Sequence, residues 1–331
     1  MRIAHVLVSP RIGGAEQIVA GLNLHFTELG IHSEIFYLDP SDLKRTRLQR
    51  VFWLRRELRK FKADHVLAHS FLPSIYSRLV SPKSSGVHYV LHSASDDYRR
   101  KSFQIIERIL HTRTKTVIAV AARQLDVYKS HFKKIPKSTV INNGVNIEFS
   151  RQHKVREHPT SVVTVARVAA QKRPGFWVEV ARLSLAEGLN LSFKWWGPLS
   201  GDSRIDNLML CGLPSNASYM GPTLNPEKAW ADSDIAFHSS NREAYSLAIV
   251  EAAVTGKPQL CSDSLDLSEE LAKSVFTFQE NQPNSAVAAL KFICETWPAA
   301  AKTAHSKAEL FSKRFGMKGV ARLYVEWLSE N

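Results

Sequence analysis

Hydrophobic residues return along this chain in two rhythms. Short β-rich runs at 2–8, 33–38, 65–69, 87–92, 116–121 and 138–141 alternate with stretches at 15–29, 44–62, 72–80, 101–111 and 122–132, where apolar residues recur every three to four positions. The first rhythm predicts strands and the second amphipathic helices. Strands regularly separated by helices predict βαβ units and a parallel sheet. The alternation breaks at "RQHKVREHPT" (151–160), a polar stretch ending in Pro159 that reads as a linker. A second series follows: "SVVTVAR", a helix from Pro174, "LNLSFKWWG", "DIAFHS", a helix over 246–255 and "KPQLCSD". After about 280 the pattern is helical to the end. The expectation is an α/β chain of two tandem Rossmann-like domains, 1–150 and 151–315, with a cleft between them as the natural ligand site.

A length of 331 residues agrees with two cores rather than one. Hydrophobic content of 44% and charged content of 23% are those of a soluble globular protein. No apolar run approaches the roughly 20 residues that span a bilayer. "MRIAHVLVSP" opens directly into a strand-like run, which predicts no cleaved leader. Three unpatterned cysteines suit reduced structural thiols, not disulfides or zinc. The net charge of +13 changes the picture more. Residues 1–150 hold 24 Lys and Arg against 12 Asp and Glu, whereas residues 151–331 hold 20 against 19. A basic first half and a neutral second half predict an anionic surface or substrate facing the first half only. Nucleic acid is not the expected partner, because basic residues interleaved with stacking aromatics are missing.

Several loops carry candidate chemistry. "SPRIGGAEQIVAGL" (9–22) follows the first strand with Gly13 and Gly14 at a helix start, where free backbone N–H groups favour an anion. It lacks the G-x-G-x-x-G fingerprint of a dehydrogenase, and its plain alternative is a tight turn. In "KRTRLQRVFWLRRELRKFK" (44–62), Leu48, Val51, Leu54, Leu58 and Phe61 share a core face. Arg45, Arg56 and Lys60 lie opposite, with Trp53 projecting among them. Such a face suits an anionic membrane, the alternative being an ordinary solvated helix. "YVLHSASDDYRRK" (89–101) ends a strand at His92, at the edge where α/β sheets place functional groups, and continues into the cations Arg99 and Arg100. "VARVAAQKRP" (165–174) holds Arg167 and Lys172 at a strand–helix junction, a pair able to neutralise a diphosphate.

"NREAYSLAIVEAAVTGKPQLCSD" (241–263) places Glu251 inside an apolar run and Glu243 eight residues before it. A buried carboxylate needs a partner in protein or ligand. Eight helical residues span about 12 Å, near the length of a sugar nucleotide. The N–H groups of Tyr245, Ser246 and Leu247 would fall between the two acids and favour phosphate.

Together these segments resemble the GT-B-fold retaining glycosyltransferases of group 1, the large family that includes phosphatidylinositol mannosyltransferase. The resemblance rests on "GGAE", "VINNGVN", "VARVAAQKRPGFWVEVA", "KWWGP", "YMGPT", "DIAFHSSNREAYSLAIVEAAVTGKPQLCSD" and "FGMKGVARLYVEWL", in the family's order along nearly the whole chain. It implies two Rossmann-like domains facing each other across a cleft, and a final helix (316–331) crossing back to the first. It implies that Glu243 and His92 contact the donor sugar and that Glu251 binds the ribose. Arg167 and Lys172 would hold the diphosphate. Tyr245, Ser246, Leu247, Gly197, Gly13 and Gly14 would line the donor site. The implied activity is metal- and cofactor-independent transfer from a UDP- or GDP-linked sugar to a saccharide, lipid-linked where the basic first domain meets the inner face of the cytoplasmic membrane. Trp53, Arg56, Lys60, Arg99 and Arg100 are its acceptor and membrane candidates. The alternative is a GT-B-like sugar-nucleotide epimerase or a non-catalytic sugar-nucleotide-binding protein.

Overall fold

The computed structural model describes every residue except 11–13, 41–42, 93–96, 148, 150–154, 224 and 244, together with the Asp97 side chain. Gly13 therefore lies outside the described residues. The chain forms two compact units, Met1–Asn146 with Met317–Asn331, and Ile147–Gly316.

The first unit runs β1 (Arg2–Leu7), α1 (Gly14–Glu28), β2 (His32–Tyr37), α2 (Arg47–Phe61), β3 (His65–His69), α3 (Phe71–Val80), β4 (Gly86–Leu91), α4 (Lys101–Leu110), β5 (Thr116–Ala119), α5 (Ala122–His131) and β6 (Lys137–Val140). The second runs β7 (Ser161–Val165), α6 (Pro174–Ala186), β8 (Ser192–Trp196), α7 (Ser203–Cys211), β9 (Ala217–Gly221), α8 (Pro226–Ala231), β10 (Ile235–His238), α9 (Leu247–Val254), β11 (Gln259–Ser262), α10 (Glu269–Ala272), β12 (Phe276–Phe278), α11 (Pro283–Glu295) and α12 (Trp297–Phe315). The last helix, α13 (Met317–Ser329), belongs to the first unit.

Each unit has one parallel six-stranded sheet, ordered β2-β1-β3-β4-β5-β6 and β12-β11-β10-β7-β8-β9. The chain winds outward in both directions from β1 and β3 in the first sheet, and from β7 and β10 in the second. Those two points, at the carboxyl ends of the strands, are where open α/β sheets bind ligands. Continuous burial of β1 from Ile3 to Val6 follows from helices covering both faces. Edge strand β9 instead alternates between half-buried and exposed positions. α6 opens on Pro174, whose fixed φ suits a first helical turn.

The second helix departs from expectation. It begins at Arg47, not 44, because Thr46 caps it: the Thr46 hydroxyl accepts from Gln49 N at 3.3 Å, and the Gln49 side chain accepts from Thr46 N at 2.8 Å. Trp53 does not project into solvent. It packs edge-on to Phe36 and is covered by the Arg45 guanidinium, 4.0 Å from the ring centroid. Burying an indole under a stacked cation removes more apolar area than burying a leucine. Leu48, expected in the core, is 69% exposed, and Phe52 is 70% exposed beside it.

Under α3–α5 sits a fully buried ion pair. Arg78 donates to Glu107 at 2.8 Å, and Tyr128 donates its hydroxyl to the same carboxylate at 2.7 Å. Arg78 also donates to the Ser74 carbonyl and hydroxyl. Removing one partner from such a pair leaves an uncompensated charge in low dielectric. Arg78→Met should lower unfolding free energy by about 3–5 kcal/mol, read by urea denaturation; a loss under about 1 kcal/mol would show that Glu107 finds another partner.

Candidate active site

The second sheet assembles the charged cluster. β7 lies between β8 and β10, so the turn after β7 and the loop after β10 leave the sheet side by side. Two hydrogen bonds lace them together: Ser239 donates its hydroxyl to the Lys172 carbonyl at 2.6 Å, and Gln171 donates its amide to the Arg242 carbonyl at 2.6 Å. Lys172 thereby meets Glu243, and the two form an ion pair with both side chains partly shielded from water. Arg167, at the end of β7, is exposed and makes no side-chain ion pair or hydrogen bond among the described residues.

Beside this pair, Ser246 stands at the N-cap of α9 with extended backbone (φ −86°, ψ 106°) and makes no side-chain cap. The N–H groups of the first turn, starting at Leu247, therefore lack the usual side-chain acceptor. Tyr245 precedes the cap with its hydroxyl buried and unpartnered among the described residues; burial pushes its pKa up.

Glu251 lies one turn inside α9, half-buried, and has a protein partner: the Trp230 indole donates to it at 3.1 Å. Burial raises the Glu251 pKa, and the Trp230 hydrogen bond opposes that shift. Beneath Lys172, His238 at the end of β10 bonds Gln259 at 3.0 Å, and burial together with the Lys172 charge lowers its pKa to about 3. A neutral His238 leaves the positive charge of the cluster on Lys172 and Arg167.

Gly197, after β8, is buried with φ +147°. A Cβ there would collide with the carbonyl oxygen of Ala166, which also accepts from the Trp195 indole at 2.8 Å. Gly197 lets the β8 turn press against the backbone next to Arg167.

The first unit places its candidates separately. Gly14 is the exposed first residue of α1. His92 follows β4, and its Nε2 lies 2.8 Å from Nδ1 of His69 at the end of β3. Arg99 and Arg100 are exposed ahead of α4, with the Arg100 guanidinium over Phe103. Arg56 and Lys60 are exposed on α2, Arg56 paired with Glu57. α3 packs between α2 and α4, so the α2 cations and the Arg99–Arg100 pair lie to either side of α3. Sequence reasoning missed Trp230, Ser239 and His69. Only His69 carried a signal, since it ends β3 as His92 follows β4.

Two parallel α/β units of this topology define the GT-B class of architecture. Structures of similar fold include the Anabaena Alr3699/HepE complex with UDP (TM-score 0.79, 17% identity, all of both chains covered). A glycosyltransferase from Rickettsia africae is similar too (TM-score 0.82, 16% identity, 99% of this chain and 98% of that one). So is sucrose-phosphate synthase from Thermosynechococcus elongatus (TM-score 0.78, 15% identity, all of both chains). Residues 5–149 match Glycosyltransferase Family 4, and residues 145–309 match Glycosyl transferases group 1. The chain belongs to the group 1 glycosyltransferase family. No curated protein matches it.

The raised pKa of Glu251 has a consequence for stability. A carboxyl group harder to ionise in the folded chain costs nothing while protonated in both states, and destabilises increasingly as pH rises past its unfolded value. Glu251→Gln should therefore match wild type near pH 4 and unfold at a higher temperature at pH 7, by calorimetry. A variant less stable than wild type at pH 7 would mean that the carboxylate is a net stabiliser.

Proposed function

We propose that this glycosyltransferase moves a sugar from a nucleotide diphospho-sugar to a saccharide hydroxyl with retention of configuration and without a metal. The reading is carried by the Lys172–Glu243 pair beside the uncapped start of α9. Without ligand, the two charges neutralise each other. A diphosphate arriving between Lys172, Arg167 and the α9 N–H groups takes over the lysine, and Glu243 is released to accept from hydroxyls of the donor sugar. Glu251 accepts from the ribose hydroxyls. In the reaction the acceptor oxygen bonds to the anomeric carbon on the face the diphosphate leaves. The acceptor proton passes to a diphosphate oxygen, and Lys172, Arg167 and the helix dipole stabilise the departing charge. UDP is the favoured nucleotide, supported by similar folds solved with UDP-glucose (HepE) and with UDP and GlcNAc (the pneumococcal O-GlcNAc transferase GtfA).

Lys172→Ala should lower kcat with a UDP-sugar by about a hundred- to a thousandfold while the ligand-free protein still folds, as read by circular dichroism. Wild-type turnover in both Lys172→Ala and Glu243→Ala would remove the cluster from the chemistry. UDP should raise the midpoint of wild type by mass action, and less so that of Glu251→Gln.

The acceptor is proposed to be lipid-linked, reached at an anionic membrane surface. Among the described residues no helix is long and apolar enough to cross a membrane. α2 instead exposes Leu48 and Phe52 beside Arg47, Arg55, Arg56, Arg59 and Lys60, and α4 exposes Ile105 and Ile109 beside Lys101 and Arg108. Exposed apolar side chains ringed by cations suit an anionic headgroup layer. Leu48→Ser with Phe52→Ser should abolish sedimentation with phosphatidylglycerol vesicles, whereas Trp53→Phe should not. Equal sedimentation with neutral and anionic vesicles would refute the surface.

A further inference from the structure

The first sheet contains a chain of three imidazoles that the proposed reaction has not used. His5 on β1, His69 at the end of β3 and His92 just after β4 are linked edge to edge: His5 Nδ1 lies 3.0 Å from His69 Nε2, and His69 Nδ1 lies 2.8 Å from His92 Nε2. The ring centroids lie 5.2 and 5.1 Å apart against N···N distances of 3.0 and 2.8 Å, so the rings meet edge to edge, where imidazole donors and lone pairs point. Burial lowers the pKa of all three, His5 to about 3 and His92 to about 4. Every link therefore joins neutral rings, with one nitrogen donating and the next accepting.

Only two proton arrangements satisfy both links. In one, His5 donates from Nδ1 to His69, His69 donates from Nδ1 to His92, and His92 carries its own proton on Nδ1. In the other, every proton sits on Nε2 and both links run backwards. The inner end of the chain chooses between them. His5 is fully buried, stacked on Phe26, and its Nε2 has no hydrogen-bond partner among the described residues. The first arrangement leaves a lone pair there, the second an N–H. Among backbone groups an orphaned buried N–H is rarer than an under-satisfied acceptor, and burying an imidazole N–H without a partner carries the same desolvation cost.

We infer that His5 and His69 are positioning residues that fix His92 as a neutral imidazole protonated on Nδ1, a hydrogen-bond donor and not a general base. With its outer lone pair removed, His92 can hold a sugar oxygen but cannot take a proton from an acceptor hydroxyl. That leaves deprotonation to the diphosphate. The functional consequence rests on the transferase reading; the protonation pattern does not.

Long-range nitrogen–proton NMR on ¹⁵N-histidine-labelled protein at pH 7 tests the pattern without any activity. The expected result is a neutral His92 bearing its proton on Nδ1, with His5 and His69 the same. A His92 protonated on Nε2, or titrating at the ordinary value near pH 6.5, would overturn the inference. In His69→Phe, His92 should return to the Nε2–H form that free imidazoles prefer. Its kcat should fall by roughly tenfold or more, as when outer hydrogen-bond partners of a working imidazole are removed, with UDP affinity unchanged. An Nδ1–H His92 in His69→Phe would refute positioning by the chain. If that variant does not fold, the wild-type spectrum decides.

Discussion

A lysine and a glutamate 71 residues apart hold each other at the point where the strand order of the second sheet reverses, and the proposed chemistry depends on that meeting. Neither side chain is in a costly position while paired, since each neutralises the other in a partly dry site. In the proposed reaction the pair is exchanged, because a diphosphate would offer Lys172 more charge than one carboxylate. A site built this way stores its positive potential in a stable resting form. The hydrogen bonds from Ser239 and Gln171 tie the two loops together around it.

Backbone geometry carries as much of the design as charge does. Gly197 allows one turn to press on the backbone beside Arg167, and the α9 start keeps its N–H groups without a side-chain cap. Glu251 supplies the counterpart. Its burial is disfavoured in the free chain and is only partly relieved by Trp230, a cost that the proposed ribose contact would offset. The buried Arg78–Glu107 pair shows the other case, with Arg78 and Tyr128 both donating to Glu107 and no access to solvent.

Much of this was legible in the chain, for identifiable reasons. β1 and β10 are buried on both faces and read as largely apolar runs, interrupted at His5 and ended by His238. β9 was missed because an edge strand half-exposed to water does not give such a run, and β12 because three residues are too few to show a period. Helical periodicity placed Leu54, Leu58 and Phe61 in the core, but it misplaced Leu48 and Trp53, since it knows nothing of Arg45 lying over the indole. The partner of Glu251 could not be read locally: Trp230 lies 21 residues upstream and reaches it through tertiary packing. The meeting of Lys172 and Glu243 follows only from strand order, because β7 and β10 are neighbours in the sheet and far apart in sequence.

α13 follows the whole second unit in sequence but completes the first. Tyr324 packs edge-on to Phe26, which stacks on His5, while Met317 donates to the Val145 carbonyl at 3.0 Å and presses on Gly144. Domains emerging from a ribosome generally fold as they appear, the first before the second. Here the order is inverted at the last step. The face of α1 that receives α13 stays uncovered until α13 has been made, so a nascent chain exposes that apolar flank for the whole time the second unit is being synthesised.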